Sequence, residues 1–455
     1  RKRGRIVLVG VTGLNLNRTD FYEKELSFQV SCSYGPGRYD PEYEEKGQDY
    51  PLGFVRWTEK RNFEAVLSLM YEGKLDTQSL VSDRFNFEDA AKAYENLNSN
   101  KNVLGLLLHY RSPPESRHVS SVVIDREKLF DKKRPVISFV GSGNYASRVL
   151  IPAFKAAGAQ LHTIVSSGGT SGAFHGEKAG FSKASTDYQA VLKDSSINTV
   201  VVATRHNTHA NLVHQALEAG KNVFVEKPLC ITSEELQEVM NAYEKAEQSG
   251  NSVHLMVGYN RRFSPLTVKC KEILSAINEP KSLIMTMNVG FIPPDHWTQD
   301  PNVGGGRIIG EACHYIDLMR FFVGAPIVSI QARRMGDYAG LGIVEDKCSV
   351  TLGFEDGSFG TLHYLANGNK KFPKERIEIF AAGRILQIDN FRRLKAFGCP
   401  AFNKRNLWRQ DKGQKACPVA FLQAIENGAP SPIPITEIFE VARVTLEAVE
   451  QLRQQ

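Results

Sequence analysis

The sequence predicts an α/β protein in which a doubly wound parallel sheet is followed by a domain of longer, mostly antiparallel strands. Three observations carry this reading. Between Val136 and Val225, strand-length apolar runs alternate with amphipathic stretches, the rhythm of βα units in a parallel sheet. A glycine turn, Gly141-Ser142-Gly143-Asn144-Tyr145-Ala146, stands between the first of these strands and its helix. From about Ser282 the strands lengthen, and alternating segments such as Ser349-Val350-Thr351-Leu352-Gly353-Phe354 suit a sheet with one covered face.

At 455 residues the chain exceeds one ordinary core, so two or three domains are expected. Its 42% apolar and 23% charged residues describe a globular protein, neither disordered nor fibrous. No apolar run approaches the roughly 20 residues of a membrane span. The run after Arg5 is too short for a signal-peptide core. The formal charge of +6 is spread along the chain rather than gathered into the aromatic-interleaved stripe of a nucleic-acid binder. It favours anionic cofactors and substrates instead. Seven cysteines, an odd number without metal-type pairing, read as reduced thiols of a cytoplasmic protein without a metal site.

Taken in order, Arg5 to Val11 reads as a buried strand, followed by the irregular Tyr34-Gly35-Pro36-Gly37-Arg38-Tyr39. Phe63, Val66, Leu67 and Met70 fall at helical spacing. Leu75 to Phe85 is extended, Glu88 to Leu97 a short helix and Val103 to Leu108 a strand. Residues 111–134, with Ser112-Pro113-Pro114 and Asp131-Lys132-Lys133-Arg134, have the composition of a linker. Residues 135–256 then form the parallel domain, with strands at Val136–Val140, Leu161–Val165, Thr199–Ala203 and Asn222–Val225. Residues 257–455 form the second domain, with strands near Leu283, Ile327, Cys348, Phe359 and Arg376 and a closing helix over 436–453.

Glycines in such a turn let the backbone approach a pyrophosphate, whose charge then meets a helix N-terminus. Gly141, Ser142, Gly143, Asn144, Tyr145 and Ala146 are therefore expected to hold a dinucleotide. The acid that would select an unphosphorylated ribose is replaced by Ser166 and Ser167, which leaves NAD or NADP open. Thr204, Arg205, His206 and His209 end one strand, and Glu226-Lys227 the next. All of these lie at the carboxyl edge of the sheet, where ligands bind in such folds. Further on, Glu311, His314 and Asp317 are spaced i, i+3 on a helix among Ile308, Ile309, Ile316 and Leu318, which predicts a lined pocket.

Gly4-Arg5-Ile6-Val7-Leu8-Val9-Gly10, Tyr71-Glu72-Gly73-Lys74-Leu75-Asp76 and Phe87-Glu88-Asp89-Ala90-Ala91-Lys92-Ala93-Tyr94 resemble the C-terminal part of the zinc-type medium-chain alcohol dehydrogenases. That resemblance covers residues 1–110. The family's cofactor turn and zinc ligands would lie upstream of Arg1, which implies a fragment of a longer protein or the loss of that half. Either way, this segment is not expected to catalyse that family's reaction.

Residues 135–455 resemble the Gfo/Idh/MocA family of glucose–fructose oxidoreductases and inositol dehydrogenases. The carrying residues are the glycine turn, Ala203-Thr204 with His209, Gly220-Lys221-Asn222-Val223-Phe224-Val225-Glu226-Lys227-Pro228, Gly258-Tyr259-Asn260-Arg261-Arg262-Phe263-Ser264-Pro265, Gly304-Gly305-Gly306 and His314-x-x-Asp317. The resemblance implies a Rossmann domain joined to a domain with a large open sheet, which binds substrate and builds a homo-oligomer. It implies hydride transfer between a nicotinamide and a carbinol carbon of a sugar, nucleotide sugar or cyclitol. A non-catalytic dinucleotide-binding regulator, or a reductase of a non-sugar substrate, is the alternative.

Loss of hydride from a carbinol requires loss of the hydroxyl proton, and Lys227 can serve as the acid/base if burial and neighbouring cations favour its neutral form. The resemblance makes His314 its partner at the substrate hydroxyl, supported by Glu311 and Asp317. It places Thr204, Arg205, His206, His209, Glu226 and Lys227 at the cofactor, and Tyr259, Arg262 and Trp297 at the substrate. Many members carry Asp four residues before this histidine. Here that position is Gly310, with Glu311 one step later. Either Glu311 substitutes, or the role falls to Lys227 and His314. Arg205 stands where proline is common, facing a cofactor phosphate, an anionic substrate or solvent.

Overall fold

The computed structural model describes all residues except 1, 32–33, 112–118, 132, 251–252 and 339–341. The chain divides into two compact units, residues 1–118 and residues 119–455. Within the described residues no helix is long and apolar enough to cross a membrane.

In the first unit β1 (Arg5–Leu8) pairs parallel with β2 (Ser27–Val30), and β3 (Val81–Asn86) with β4 (Gly105–His109). The helix carrying Phe63, Val66, Leu67 and Met70 spans Glu59–Tyr71. The expectation of a buried first strand is corrected here, because Ile6 and Val7 are exposed, as are those four helical residues. Each sheet has only two strands, and the short helix Ala90–Ser99 packs against β3 and β4; Ala93 of that helix alone among the unit's described apolar side chains is buried. The apolar residues have the right period, but two-stranded sheets with one short helix are too small to enclose a core.

The second unit opens with β5 (Ser121–Val123), where a linker was expected. This strand joins the parallel sheet at its edge, antiparallel to β8 (Lys183–Ser185). The sheet continues through β6 (Val136–Val140), β7 (Gln160–Val165), β8 (Lys183–Ser185), β9 (Thr199–Val202), β10 (Asn222–Val225) and β11 (Leu255–Val257). Its order, β11-β10-β9-β6-β7-β8-β5, reverses between β6 and β9, the switch point at which ligands bind in such sheets. Every residue of β6 and β9 is buried, as strands covered by helices on both faces require.

The second sheet comprises β12 (Ser282–Asn288), β13 (Ile327–Arg334), β14 (Lys347–Phe354), β15 (Phe359–Leu365), β16 (Glu375–Ala381), β17 (Arg384–Asp389), β18 (Arg393–Phe397) and β19 (Lys404–Asn406), ordered β13-β14-β15-β12-β16-β17-β18-β19. Only β12 and β15 pair parallel. From Cys348 to Phe354, residues of β14 alternate between buried and half-buried, the expected one-sided burial. Helices Cys313–Val323 and Ile435–Arg453 pack on its inner face, and one continuous apolar core runs through both sheets. The architecture is α/β, a parallel Rossmann-type sheet followed by a mostly antiparallel one, as the sequence predicts.

Candidate active site

The glycine turn is built by close approach of backbone. Gly141 has φ +107°, and a Cβ on it would sit 2.3 Å from the carbonyl oxygen of Ala203, so only glycine fits. A Cβ on Gly143 would meet nothing within 4 Å, which leaves open space beside the turn. Ala146 is buried under the helix that follows. Ser142 shares a 2.8 Å hydrogen bond with the hydroxyl of Ser171. Ser166 is spent internally, its hydroxyl accepting from the amide of Gly172 at 3.1 Å, while Ser167 is exposed. No carboxylate stands at the end of β7. The turn thus fits a dinucleotide pyrophosphate, with Gly141, Gly143 and Ala146 giving the backbone room it needs.

At the exit of β9, Thr204 is 2.6 Å from Thr208 hydroxyl to hydroxyl, and the Arg205 guanidinium lies 5.9 Å from the ring of Trp297. His209 is a fastener rather than a free ligand group. Its Nδ1 is 2.7 Å from the Pro228 carbonyl and its Nε2 3.2 Å from that of Thr204. His206 donates Nδ1–H to the carbonyl of Gly304 at 2.8 Å and meets Trp297 edge to face at 4.9 Å. Burial, together with the Lys227 charge, pushes His206 down to about 3 and His209 to about 4, so both imidazoles are neutral.

At the exit of β10, Lys227 donates from Nζ to the carbonyl of Gly310 at 2.6 Å. Glu226 is buried beneath Gly258, on which a Cβ would come within 3.0 Å of its Oε1. Burial pushes this carboxyl up to about 7 against the pull of Lys227 and Arg261, and the Tyr145 hydroxyl bonds to it.

The helix bearing His314 begins as a π-turn over Ile308–Ala312 and continues as Cys313–Val323. Glu311 and His314 reach one pocket of about 450 Å³, together with Lys227, His206, Trp297 and Arg261. Asp317 does not, which corrects the expectation of a shared face. Each three-residue step falls about 60° short of a full helical turn, so Asp317 points away from Glu311. It is fully buried and receives Arg262 Nε at 2.8 and 2.9 Å.

Arg262 also bonds Glu437 at 2.5 Å, and neither it nor Asp317 lines the pocket. Tyr259, buried to 1% exposure, stands behind His314 at 6.1 Å and is likewise no pocket contact. The 3-10 turn at Asn260–Phe263 brings Asn260 and Arg261 to the pocket in their place.

Glu311 is fully engaged, by Lys374 at 2.6 Å, the Tyr364 hydroxyl at 2.6 Å and Arg307 at 3.0 Å. Burial alone would raise its carboxyl, but these partners hold it down at about 2. It is a fixed anion and does not take the place vacated at Gly310. His314 is buried with no partner on Nδ1, and burial beside Arg261, Lys227, Lys412 and Lys374 keeps it well below the usual imidazole range.

Sequence reasoning missed Arg261, Arg307, Lys374, Glu375 and Lys412. Glu375 receives Arg261 at 2.9 Å, Lys412 at 2.5 Å and the Tyr315 hydroxyl at 2.6 Å. No spacing signal links these residues, which come from four separate segments. Arg261 alone was within reach, since it lies in the Gly258–Pro265 segment between Asn260 and Arg262.

Fold and site together define a two-domain Rossmann protein whose pocket lies between its dinucleotide sheet and its second sheet. Residues 136–258 match the family described as GFO_IDH_MocA, oxidoreductase family, NAD-binding Rossmann fold, and residues 271–384 match the GFO/IDH/MocA C-terminal domain. The two matches together span more than half of the chain, and it belongs to this family.

Among its relatives, myo-inositol 2-dehydrogenase of Thermotoga maritima is 28% identical over 221 residues, 48% of this chain and 64% of that protein. The scyllo-inositol 2-dehydrogenase (NAD(+)) of Bacillus subtilis is 34% identical over 154 residues, 33% of this chain and 42% of that one. The match thus spans less than two thirds of these curated relatives. A solved levoglucosan dehydrogenase, in complex with NADH and levoglucosan, is 20% identical, covers 70% of this chain and 97% of its own, and superimposes with a TM-score of 0.63. That likeness concerns the fold.

Proposed function

We propose that the second unit is an NAD(P)-dependent oxidoreductase that moves hydride between the nicotinamide and a carbinol carbon of a sugar or cyclitol. The observation that carries this reading is that Lys227 and the buried His314, whose Nδ1 has no partner among the described residues, line one pocket at the sheet's switch point. The names of the inositol and levoglucosan dehydrogenases support the substrate class.

When bound, the nicotinamide supplies or accepts the hydride. Gly141, Gly143 and Ala146 would hold the pyrophosphate, and Thr204 and Glu226 would line the path toward Lys227. Lys227 takes the hydroxyl proton during oxidation and returns it during reduction. His314, neutral at physiological pH, orients the same oxygen. His209 holds the ends of β9 and β10 in register. Thr298, Trp297 and Ile292 add wall to the same pocket.

Thermal unfolding with NAD⁺, NADH, NADP⁺ and NADPH tests the reading, since a ligand of the folded state raises the midpoint. A shift with any of them supports it; the absence of a shift with all four sinks it. A homo-oligomer is part of the proposal, because Ile284, Phe359, Phe380 and Phe397 are exposed on the second sheet. A monomer by light scattering would count against that part. A cytoplasmic setting, with reduced thiols, completes it. For residues 1–110, the parallel pairing of β1 with β2 and of β3 with β4 supports the alcohol-dehydrogenase-like reading, without assigning that unit a reaction.

A further inference from the structure

A second cavity of about 470 Å³ adjoins the pocket. Lys412 lines both, and Gly290 of the second cavity accepts a 2.6 Å hydrogen bond from Arg307 of the first. Lys370, Lys371, Lys374 and Lys412 line this groove together with the carboxamides of Asn288, Asn390 and Gln410, and among the described residues no carboxylate lines it. Lys412 and Lys374 each pair with a carboxylate outside the groove lining, Glu375 at 2.5 Å and Glu311 at 2.6 Å. Lys370 and Lys371 are exposed.

The deep pocket is also rich in cations. Lys227, Arg261, Arg307 and Lys412 line it, against Glu226 and Glu311. Arg261 and Lys412 share Glu375 behind the wall, and Arg307 is held by Glu311, which leaves Lys227 beside the buried Glu226 as the cation at the reacting end.

Like charges gathered at one cleft repel one another, and a concave site of one sign focuses field on a ligand of the other. The cofactor's phosphates do not account for this charge. They belong at the Gly141 turn on the Rossmann sheet, whereas every groove residue comes from the second domain, between Asn288 and Lys412. The substrate's own charge is the remaining match.

We infer that the substrate is a sugar carrying an anionic group, a carboxylate or a phosphate, with its carbinol at Lys227 and its anion in the lysine groove. This rests on the oxidoreductase reading of the deep pocket and narrows its substrate class. Neutral cyclitols would leave the groove empty. Lys370 and Lys371 act as positioning and specificity residues for the anion, at a distance from the reacting carbon.

The test is calorimetric titration of the full chain, with saturating NADH and without it, at low ionic strength. The probes are D-glucose, D-glucuronate, glucose 1-phosphate and inorganic phosphate. At least one anionic sugar is expected to bind about tenfold more tightly than D-glucose and more tightly than phosphate. The better of the two identifies the anion.

In Lys370→Gln/Lys371→Gln, and in about 0.5 M salt, that advantage should shrink at least fivefold, with NADH affinity unchanged in the variant. Three results overturn the inference: equal binding of D-glucose and both acids, no binding of either acid, or an advantage that survives both lysine replacements. If neither acid binds more tightly than inorganic phosphate, the inference falls too, and the groove is an anion site only. Failure of the wild-type chain to bind NADH would instead reject the oxidoreductase reading, and the titrations without cofactor would still decide the groove.

Discussion

The imidazole of His206 fills the space that a side chain at residue 310 would need. A Cβ on Gly310 would come within 2.9 Å of His206 Cε1, and the Gly310 carbonyl accepts Lys227 Nζ at 2.6 Å. Absence of a side chain at 310 therefore admits a second neutral imidazole beside the lysine. With Nδ1–H committed to Gly304, the remaining ring nitrogen, Nε2, is an acceptor only.

Gly310→Ala should force this ring aside. Overpacking of this kind costs about 1–3 kcal/mol, so the unfolding midpoint falls by several degrees. His206→Ser in the same chain makes room for the new methyl and recovers most of the loss. Equal midpoints for wild type and Gly310→Ala would show that the two residues do not compete for space.

Lys227→Met separates proton transfer from binding. Turnover on any accepted substrate should fall by about 10²–10⁴-fold, the usual range for losing a general acid or base. The NADH-induced rise in midpoint should persist. A variant retaining a tenth or more of wild-type turnover would remove Lys227 from the proposed chemistry.

The Arg262–Asp317 pair gives a stability test of the corrected assignment. Asp317→Asn leaves the Arg262 guanidinium short of a counter-charge in a buried place, at a cost of roughly 3–5 kcal/mol. The double replacement Arg262→Leu/Asp317→Leu should be less harmful than either single change. Urea unfolding measures both. If Asp317→Asn were instead fully stable with a raised KM alone, Asp317 would be a substrate contact after all.

Acid should weaken the fold through its buried histidines. His206, His209 and His314 have folded pKa values below the ordinary 6.5, at about 3, about 4 and well below normal. Between pH 6.5 and about 4 the unfolded chain binds more protons at these sites. Their stabilisation, complete above pH 6.5, is therefore lost as pH falls, at about 1.4 kcal/mol per unit per histidine.

Two raised carboxyls oppose this. Burial lifts Glu226 to about 7 and, against the pull of Arg262, Asp317 to about 6, so both favour the folded state as pH falls. Three imidazoles against two carboxyls leave a net loss of about one proton's worth. Urea midpoints should be lower at pH 5 than at pH 7.5, and the drop should steepen in Glu226→Gln. A flat profile in both proteins would mean that the imidazoles are not buried as neutral groups.

The Rossmann sheet, its glycine turn and the strand ends carrying Thr204 and Lys227 were legible in the sequence because each depends on local pattern. Apolar runs mark β6 and β9, and the Gly141 turn needs a residue type that the chain spells out. The same locality misled at Asp317, where spacing counted in threes does not hold one helical face over two steps. It misled again in the first unit, where periodic apolar residues such as Phe63 and Leu67 found no layer to cover them.

Only the tertiary structure decided which groups face one another in the pocket. Glu375 meets Arg261 and Lys412, His206 meets Gly310, and Glu311 meets Lys374, across separations of 37 to 114 residues. A sequence states which charges and imidazoles exist. Their pairing, burial and protonation follow from the distances at which folding leaves them, and no local pattern records those distances.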